Sequence, residues 1–457
     1  MDVIIQPALP ESVVTERSGT MREVLVMSAP LILSFVSFSL MGVVDSVIMG
    51  RVGTPEQGAV GLGSMLAWGL SVLFTGTITA VNTFVAQDFG ARKLDRLRRH
   101  VFTALLLIPP FVAAIWAMIP LFPGMIRLIG SSPEVAPHVQ VYLSIRIFSA
   151  PFVMGAFAIT SFLRGLGNMR TPMIVTIVAN ILNAILALLL VFGLYGLPRL
   201  GVAGAALASL TAGACETLIY LIIFFSPRYH RQYRTRSWSR PTLEEIKRFL
   251  KIGVPIGGLM LFDMVAWTLF SIYASTLQPA ALAAHMIIFQ VMHFSFLPAV
   301  AISVTGTTLV GQYLGAQRAD LAQKSAYRSI GAGVGYMLII GSLMILLRRP
   351  LISAFNPDPA VYDVGRIIII IAALFQPFDG IGITTSGVLR GAGDTRFPMV
   401  AMAISAVLVF IPGVYVLGKL MDWGIAGAWL AALSYVVLVA MLMGGRFLRG
   451  AWKTRVL

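Results

Sequence analysis

Charged side chains are scarce in this sequence. Asp, Glu, Lys and Arg together make up 12% of the 457 residues, whereas 58% are hydrophobic and the mean hydropathy is +0.87. A soluble domain carries about 25% charged residues, because its surface is exposed to water. The composition therefore excludes an ordinary soluble protein, which the length alone would allow, and it indicates a surface that faces mostly lipid.

Cysteine and the short signatures of common enzymes are also missing. Cys215 is the single cysteine, so no intrachain disulfide and no thiolate metal cluster are expected. There is no His-Glu-x-x-His motif, no Gly-x-Ser-x-Gly elbow and no P-loop, so we predict no enzyme, no catalytic residues and no cofactor. Residues 1–20 lack the pattern of a cleaved secretory signal, and the first hydrophobic helix is expected to be an uncleaved anchor.

Long apolar stretches account for most of the chain. A membrane-spanning helix needs about 20 predominantly apolar residues, and twelve stretches meet this requirement. They cover residues 24–49, 57–86, 101–123, 137–163, 172–193, 201–226, 250–275, 281–312, 326–347, 361–388, 397–418 and 424–446. The predicted fold class is therefore an all-α integral membrane protein with twelve transmembrane helices.

The 34 Lys and Arg residues are distributed unevenly around these stretches. If the N-terminus is cytoplasmic, 26 of them fall in inner segments and six in outer loops, while Arg146 and Arg366 lie at or inside spans. This bias follows the positive-inside rule, so we predict a multi-pass protein of the inner (plasma) membrane with both termini in the cytoplasm. The basic residues do not interleave with aromatic side chains, so the net charge of +15 does not indicate nucleic-acid binding.

The sequence contains an internal repeat with an offset of 223 to 226 residues. Five segments recur in the same order, which indicates two homologous halves of six spans each. The matched pairs are Ala29-Pro30 with Val254-Pro255, 85–91 with 310–316, 163–167 with 389–393, 170–173 with 395–399, and 201–205 with 424–428. The predicted division is a cytoplasmic N-terminal tail at 1–23, an N-lobe at 24–226, a cytoplasmic linker at 227–249, a C-lobe at 250–446 and a cytoplasmic C-terminal tail at 447–457.

The symmetry of the repeat indicates transport. Because each half has an even number of spans, the two halves share one orientation, which implies parallel repeats with a substrate path between them. A carrier that alternates access between two sides has a use for this symmetry. A channel, a receptor or a membrane-embedded enzyme has no general need for it.

Four acidic residues fall well inside the predicted spans: Asp45, Glu216, Asp263 and Asp379. A charged side chain at the bilayer centre costs roughly 2.5–3.5 kcal/mol even on a lenient scale, so each one requires a reason. Carboxylates are hard oxygen ligands suited to Na⁺, and a carboxyl group removed from water can hold a proton. Either property couples transport to an ion gradient.

The repeated motifs resemble the multidrug and toxic compound extrusion (MATE) family of drug/cation antiporters. The resemblance rests on Gln-x-x-Gly-Ala after the second span and on Leu-Arg-Gly with Thr-Pro or Thr-x-x-Pro after the fourth, in both halves, and it runs from Pro30 to about Ser434. It implies two pseudo-symmetric six-helix lobes in a V-shaped arrangement. It also implies secondary active efflux of organic cations and xenobiotics by antiport with Na⁺ or H⁺ through alternating access.

The resemblance assigns candidate coupling residues in the C-lobe. Asp263 and Asp379 match the acidic positions of the seventh and tenth helices in the NorM-like branch, and we expect them to hold the coupling Na⁺ or proton. That branch has a Tyr where this sequence has Phe375, so one oxygen ligand or hydrogen-bond donor is missing.

Further coupling residues are expected in the N-lobe. Asp45 matches the first-helix Asp of the family, and the resemblance implies that Asn180 and Asn183 on the fifth span lie near it. The DinF-like branch has an Asp four residues after the Asn, where this sequence has Ala187. A site of two carboxylates is therefore not expected in this lobe, although Asp45 with Asn183 could still hold a proton or Na⁺.

Four residues are candidates for the substrate cavity: Glu216, His285, Gln290 and Phe375. Glu216 has no counterpart in the family pattern, and it is expected either to pair with Arg146 across helices or to face the cavity and meet a cationic substrate. His285 matches a family His, and with Gln290 it is expected to serve packing and hydrogen bonding more than proton transfer.

The nearest alternative is a lipid-linked oligosaccharide or other lipid flippase of the same superfamily. Such a protein should line its cavity with Arg and Lys to hold anionic diphosphates, whereas only Arg146 is buried within a span here, against four acids. This comparison favours cationic drugs as cargo. The expected partners are small cationic molecules and the lipid bilayer, for a protein predicted to be monomeric.

Overall fold

The computed structural model describes residues 18–128, 132–238 and 240–454, and every regular element within these ranges is a helix. Twelve of the helices in this part of the chain are long and apolar enough to cross a membrane, which confirms the predicted fold class. The first to the twelfth span are Met21–Gly50, Thr54–Gly90, Leu94–Arg127, Ala136–Gly165, Arg170–Phe192, Val202–Phe224, Leu243–Ser275, Pro279–Gly315, Ala319–Leu346, Pro359–Gly391, Arg396–Leu420 and Gly424–Leu448.

Helix caps outside the apolar windows move some boundaries by a few residues. The seventh span begins at Leu243, within the predicted linker 227–249, because Thr242 and Glu245 form a reciprocal capping box. Glu245 accepts a hydrogen bond of 2.8 Å from the Thr242 amide, and Thr242 Oγ1 accepts one of 3.2 Å from the Glu245 amide. The same linker contains a short helix, Pro227–Tyr233.

The predicted terminal tails are partly helical. The first span begins at Met21, inside the predicted tail 1–23, and positions 1–17 of that tail lie outside the described residues. The twelfth span ends at Leu448, and a 3₁₀ helix, Ala451–Thr454, follows in the predicted tail 447–457, of which 455–457 lie outside the described residues.

The chain divides into two compact units whose limits differ from the predicted lobes of 24–226 and 250–446. The first unit comprises Leu33–Gly257, and the second comprises the residues from Gly258 onward together with the start of the first span up to Ile32. The division points Ile32 and Gly257 are 225 positions apart, which is the offset of the sequence repeat. The start of the first span therefore belongs to the second unit, and the start of the seventh span belongs to the first unit. Such a reciprocal exchange at equivalent positions is expected for homologous halves.

Small side chains let each exchanged segment pack closely within its unit. In the first unit, Gly257 lies so close to the second span that a Cβ atom would approach the Leu73 carbonyl oxygen to 2.0 Å, so only glycine fits there. In the second unit, Ser28 of the first span donates a hydrogen bond of 3.0 Å to Oγ1 of Thr305 on the eighth span.

Candidate functional site

An acidic pair, Asp263 and Asp379, lies within the second unit. Asp263 is on the seventh span and Asp379 is on the tenth, and the two carboxylates are close enough to interact electrostatically. Trp267, one helical turn after Asp263, donates a hydrogen bond to the Asp263 carboxylate. Both acids are half-buried. Carboxylates this close repel one another when both are charged, so a bound cation or proton stabilises the pair.

Tyr435 on the twelfth span adds a hydroxyl group to the surroundings of the acidic pair. The side chain is 2% exposed and stacks on Phe410, with the ring centroids 5.0 Å apart. Its hydroxyl lies within electrostatic range of both Asp263 and Asp379, and it has no hydrogen-bond partner in the described part of the chain. Tyr435 thus places a phenol hydroxyl near the acidic pair. The NorM-like branch has a Tyr hydroxyl at the position of Phe375, which this sequence lacks.

Tyr435 was not predicted from the sequence, although a signal was present. On the twelfth span it shares a buried face with Ala428, Ala431 and Ala432, at helical spacing. A hydroxyl on an otherwise apolar buried face needs a partner, because leaving it without a hydrogen bond costs free energy. Such a position is a candidate for a polar site.

Aromatic side chains fill the interior of the second unit beside the acidic pair. His285 is fully buried, with its ring 4.7 Å from Phe270 and 5.7 Å from Trp429, and its Nε2 lies 3.3 Å from Ser271 Oγ. Phe375 is 1% exposed and stacks on Trp429 at 6.2 Å. The structure therefore places His285 and Phe375 in packed interior, and their contact with a substrate stays a prediction.

The remaining predicted groups of the second unit form no closed metal site. Among the described residues, no cluster of three or more His, Cys, Asp or Glu could hold a metal ion. A cation at the acidic pair would therefore be held by two carboxylates together with neutral oxygens. Gln290 is half-buried on the eighth span, and its side chain makes no hydrogen bond to another described residue.

A cavity of about 330 Å³ opens within the first unit, and Asp45 lies on its wall. With its amide nitrogen turned toward Asp45, Asn183 donates a hydrogen bond of 3.0 Å to Asp45 Oδ1, and its amide oxygen accepts one of 3.2 Å from Ser209 Oγ. Asn180 donates instead to Ser37 Oγ, at 2.8 Å. The structure joins Asn183 to Asp45 as expected, and it joins Asn180 to a position two turns earlier on the first span.

Arg146 lies on the wall of the same cavity. Directly after it, the fourth span tightens into a 3₁₀ turn, Ile147–Ser149, which brings the Ser149 hydroxyl back to accept a hydrogen bond from Nη1 of Arg146. Arg146 and Asp45 interact electrostatically, but no ion pair of 4.0 Å or less joins these two described residues. The cavity therefore carries a positive and a negative group that are held separately.

Glu216 interacts with a different arginine from the one predicted. Its Oε1 accepts a hydrogen bond of 3.0 Å from Thr176, and the positive charge that acts on it is Arg164, not Arg146. Arg164 is 9% exposed, with its guanidinium 5.3 Å from the centre of the Phe35 ring. Arg164 lies at the end of the fourth span, Ala136–Gly165, and Arg146 lies in the first half of it, about 27 Å away along the helix. Glu216 is not among the residues that line the cavity described above, and its contact with a cationic substrate stays a prediction.

The fold and these buried charges define a membrane transporter built from two homologous halves. The MatE family profile matches residues 30–189 and 255–416, one segment in each half. The chain therefore belongs to the MatE family, and the resemblance predicted from the sequence is confirmed.

Several relatives and solved structures cover nearly the whole chain. The chain is 29% identical over 432 residues to a probable multidrug resistance protein NorM of Aromatoleum aromaticum, covering 91% of this chain and 90% of that protein. It is 28% identical over 458 residues to the multidrug resistance protein PmpM of Pseudomonas aeruginosa, covering 97% and 94%. A crystal structure of a eukaryotic MATE transporter, 18% identical, matches with a TM-score of 0.86 over 95% of this chain and 96% of that chain, which shows a shared fold.

Proposed function

We propose that the protein is a secondary active multidrug efflux transporter that exports organic cations in exchange for Na⁺ or H⁺. The relatives named as multidrug resistance proteins NorM and PmpM support this cargo class. The distribution of Lys and Arg supports a plasma-membrane location with both termini in the cytoplasm.

The acidic pair is the observation that carries the proposal. Two carboxylates from different spans, Asp263 and Asp379, interact within an aromatic interior, with Trp267 as a hydrogen-bond donor and the Tyr435 hydroxyl nearby. Keeping two acids inside a membrane is costly unless a cation or proton neutralises them. A site of this kind binds and releases a small cation as its surroundings change.

Coupling requires that the ion and the drug stabilise different states of the protein. In the outward-facing state the acidic pair takes up Na⁺ or H⁺, which favours release of the drug to the outside. In the inward-facing state the ion leaves and a new drug molecule binds.

A lipid flippase is not favoured. An anionic diphosphate requires several basic groups, whereas the cavity of the first unit offers one guanidinium, Arg146, together with the carboxylate of Asp45. The relatives reported above are named for drug resistance.

Proteoliposomes test the proposed function with ethidium as the organic cation. We expect either an imposed Na⁺ gradient alone or an imposed pH gradient alone to drive uphill movement of ethidium, and we expect the matching ionophore to abolish it. Protein-free liposomes are the control. If neither gradient drives ethidium, while a lipid-linked diphosphate is moved between leaflets, the flippase assignment replaces the one proposed here.

A further inference from the structure

We infer that one face of the first unit binds the head groups of anionic phospholipids in the surrounding bilayer. This face, which we call the basic face, comprises residues 92–99, around the turn between the second and third spans, and residues 228–251, in the linker and the start of the seventh span. Thirteen of its residues are Lys or Arg, and three are Asp or Glu. The inference goes beyond the drug and the coupling ion of the proposed function, and it depends on neither.

Three chain segments that are distant in sequence meet at the basic face. Arg234, directly after the linker helix Pro227–Tyr233, lies 3.6 Å from the carboxylate of Asp95 at the start of the third span. Arg99, one turn further along the third span, lies 3.3 Å from the carboxylate of Glu245 at the start of the seventh span. The basic groups of the three segments therefore share one folded surface.

Aromatic side chains place the basic face at the level of the lipid head groups. In the linker helix, Tyr229 and Tyr233 are buried one turn apart, whereas Arg231 between them is exposed. Trp238 follows the helix, and its ring lies 4.9 Å from that of Phe102 on the third span. Tyr and Trp are enriched at the boundary between hydrocarbon and water, and a helix with one apolar and one basic side lies in the plane of that boundary.

The protein does not neutralise the basic face by itself. One of its three acids, Asp95, already lies within 3.6 Å of both Arg98 and Arg234. Among the described residues, no carboxylate lies within 4.0 Å of three exposed basic side chains, those of Lys93, Arg96 and Arg231. Ten of the thirteen basic residues are Arg, whose planar guanidinium can donate two hydrogen bonds to one phosphate. A phospholipid head group supplies the missing counter-charge.

The internal repeat shows that membrane topology does not require so much charge. By the offset of 225, the segments 92–99 and 228–251 correspond to 317–324 and 3–26, which together hold four basic and four acidic residues. The tail at 449–457 raises the basic count of the second half to seven, against thirteen in the basic face. Because the two halves share one orientation, these segments lie on the same side of the membrane. The surplus in the first unit is therefore more than orientation needs.

Exposed apolar groups of the basic face favour a lipid over a soluble anion. Trp238 is 61% exposed, and Leu243, the first residue of the seventh span, is 65% exposed. A lipid that places its phosphate among the guanidinium groups covers these side chains with its acyl chains, whereas a soluble anion leaves them in water. Anionic lipids are also concentrated at the membrane surface, where each nearby Lys or Arg strengthens binding.

Lipid retention by the purified full-length protein tests this inference. The protein is washed in a neutral detergent that contains equal amounts of phosphatidylglycerol and phosphatidylcholine with the same acyl chains, and the retained lipids are quantified. We expect the wild type to retain at least about threefold more phosphatidylglycerol than phosphatidylcholine, and Lys93→Gln/Arg96→Gln/Arg231→Gln to bring this ratio close to one. Equal retention of the two lipids by the wild type, or a wild-type ratio in this triple variant, overturns the inference.

Two further variants keep the test specific. Lys324→Gln/Arg328→Gln/Arg449→Gln removes three exposed basic residues from the second unit and should keep the wild-type ratio. Asp95→Asn removes an acid from the basic face and should raise the ratio, and it should fold normally because the Asp95 side chain is 71% exposed. If the second-unit variant lowers the ratio as much as the first-unit variant does, anionic lipid responds to overall charge and the assigned site is wrong.

A soluble phosphate ester distinguishes a lipid from a free anion. Glycerol 3-phosphate added to the wash, at an ionic strength matched with chloride, should leave the retained phosphatidylglycerol unchanged. Its release by glycerol 3-phosphate but not by chloride would mean that the basic face takes phosphate from solution, and the lipid assignment would be wrong. None of these measurements involves transport, so their outcome is separate from that of the proposed function.

Discussion

Asp263→Asn and Asp379→Asn should each reduce gradient-driven accumulation of ethidium in proteoliposomes by at least about tenfold. Without the carboxylate, the ion no longer binds one conformational state more tightly than the other, so it cannot shift the equilibrium between the two states. The amide keeps the size of the side chain but cannot carry the negative charge that holds Na⁺ or the proton that is exchanged. The interaction between the two carboxylates makes the loss similar for either substitution.

The control for this prediction is Asp363→Asn. Asp363 is on the same span as Asp379, but its side chain is 69% exposed, where it faces Arg366 at 3.4 Å. We expect wild-type accumulation from this variant. The two variants of the acidic pair should still equilibrate ethidium downhill, which shows that they are folded. Wild-type uphill accumulation in both would remove the acidic pair from the coupling mechanism.

Arg164→Met should destabilise the protein. Arg164 is 9% exposed and is the positive charge that acts on Glu216, so its removal takes away the charge that compensates a carboxylate inside the first unit. No ion pair of 4.0 Å or less joins these two described side chains, so the loss should be smaller than the cost of about 3–5 kcal/mol for removal of one partner of a contacting buried pair. We expect the apparent unfolding temperature in detergent, followed by tryptophan fluorescence, to fall by about 2–5 °C.

A second substitution provides the decisive comparison for Arg164. Arg164→Met combined with Glu216→Gln leaves no uncompensated charge, so the double variant should recover most of the lost stability. Arg199→Met, at an exposed arginine, is the matched control and should unfold at the wild-type temperature. If the two losses simply add in the double variant, Glu216 and Arg164 are not coupled.

The twelve spans could be predicted because the hydrocarbon core of the membrane imposes a minimum length on apolar helices. The ends of the spans depend on polar sequence outside the apolar windows. Leu243 begins the seventh span because Thr242 and Glu245 cap it, and a hydropathy window does not register such a cap. A search for capping boxes upstream of each window would have found this boundary.

The exchange of helix starts between the two units was not predicted. Hydropathy assigns whole helices to halves, whereas packing divides the first span after Ile32 and the seventh after Gly257. The signal was the spacing of Gly253 and Gly257, which places two residues without side chains on one face of the seventh span.

The candidate site was predicted in part. The family resemblance supplied Asp263, Asp379 and Asp45 with Asn183, since it supplies the register of helices that are distant in sequence. The resemblance supplied no partner for Glu216. Pairing with Arg146 was predicted from charge alone, without the height of each side chain along its helix, and the structure places Arg164 near Glu216 instead. Arg146 was therefore counted as a structural counter-charge, whereas the structure places it on the cavity wall.

The central claim is that the acidic pair takes up the coupling ion, and the fluorescence of Trp267 tests it most directly. Because Trp267 donates a hydrogen bond to Asp263, its emission should respond when Na⁺ or H⁺ binds there. The Trp267 signal is isolated as the difference between wild-type protein and Trp267→Phe, during titration with Na⁺ at constant ionic strength and during titration with acid. We predict a saturable change with one of these ions that is absent from the double variant Asp263→Asn/Asp379→Asn. A change that persists in the double variant with the same midpoint, or no change with either ion in the wild type, would contradict the claim.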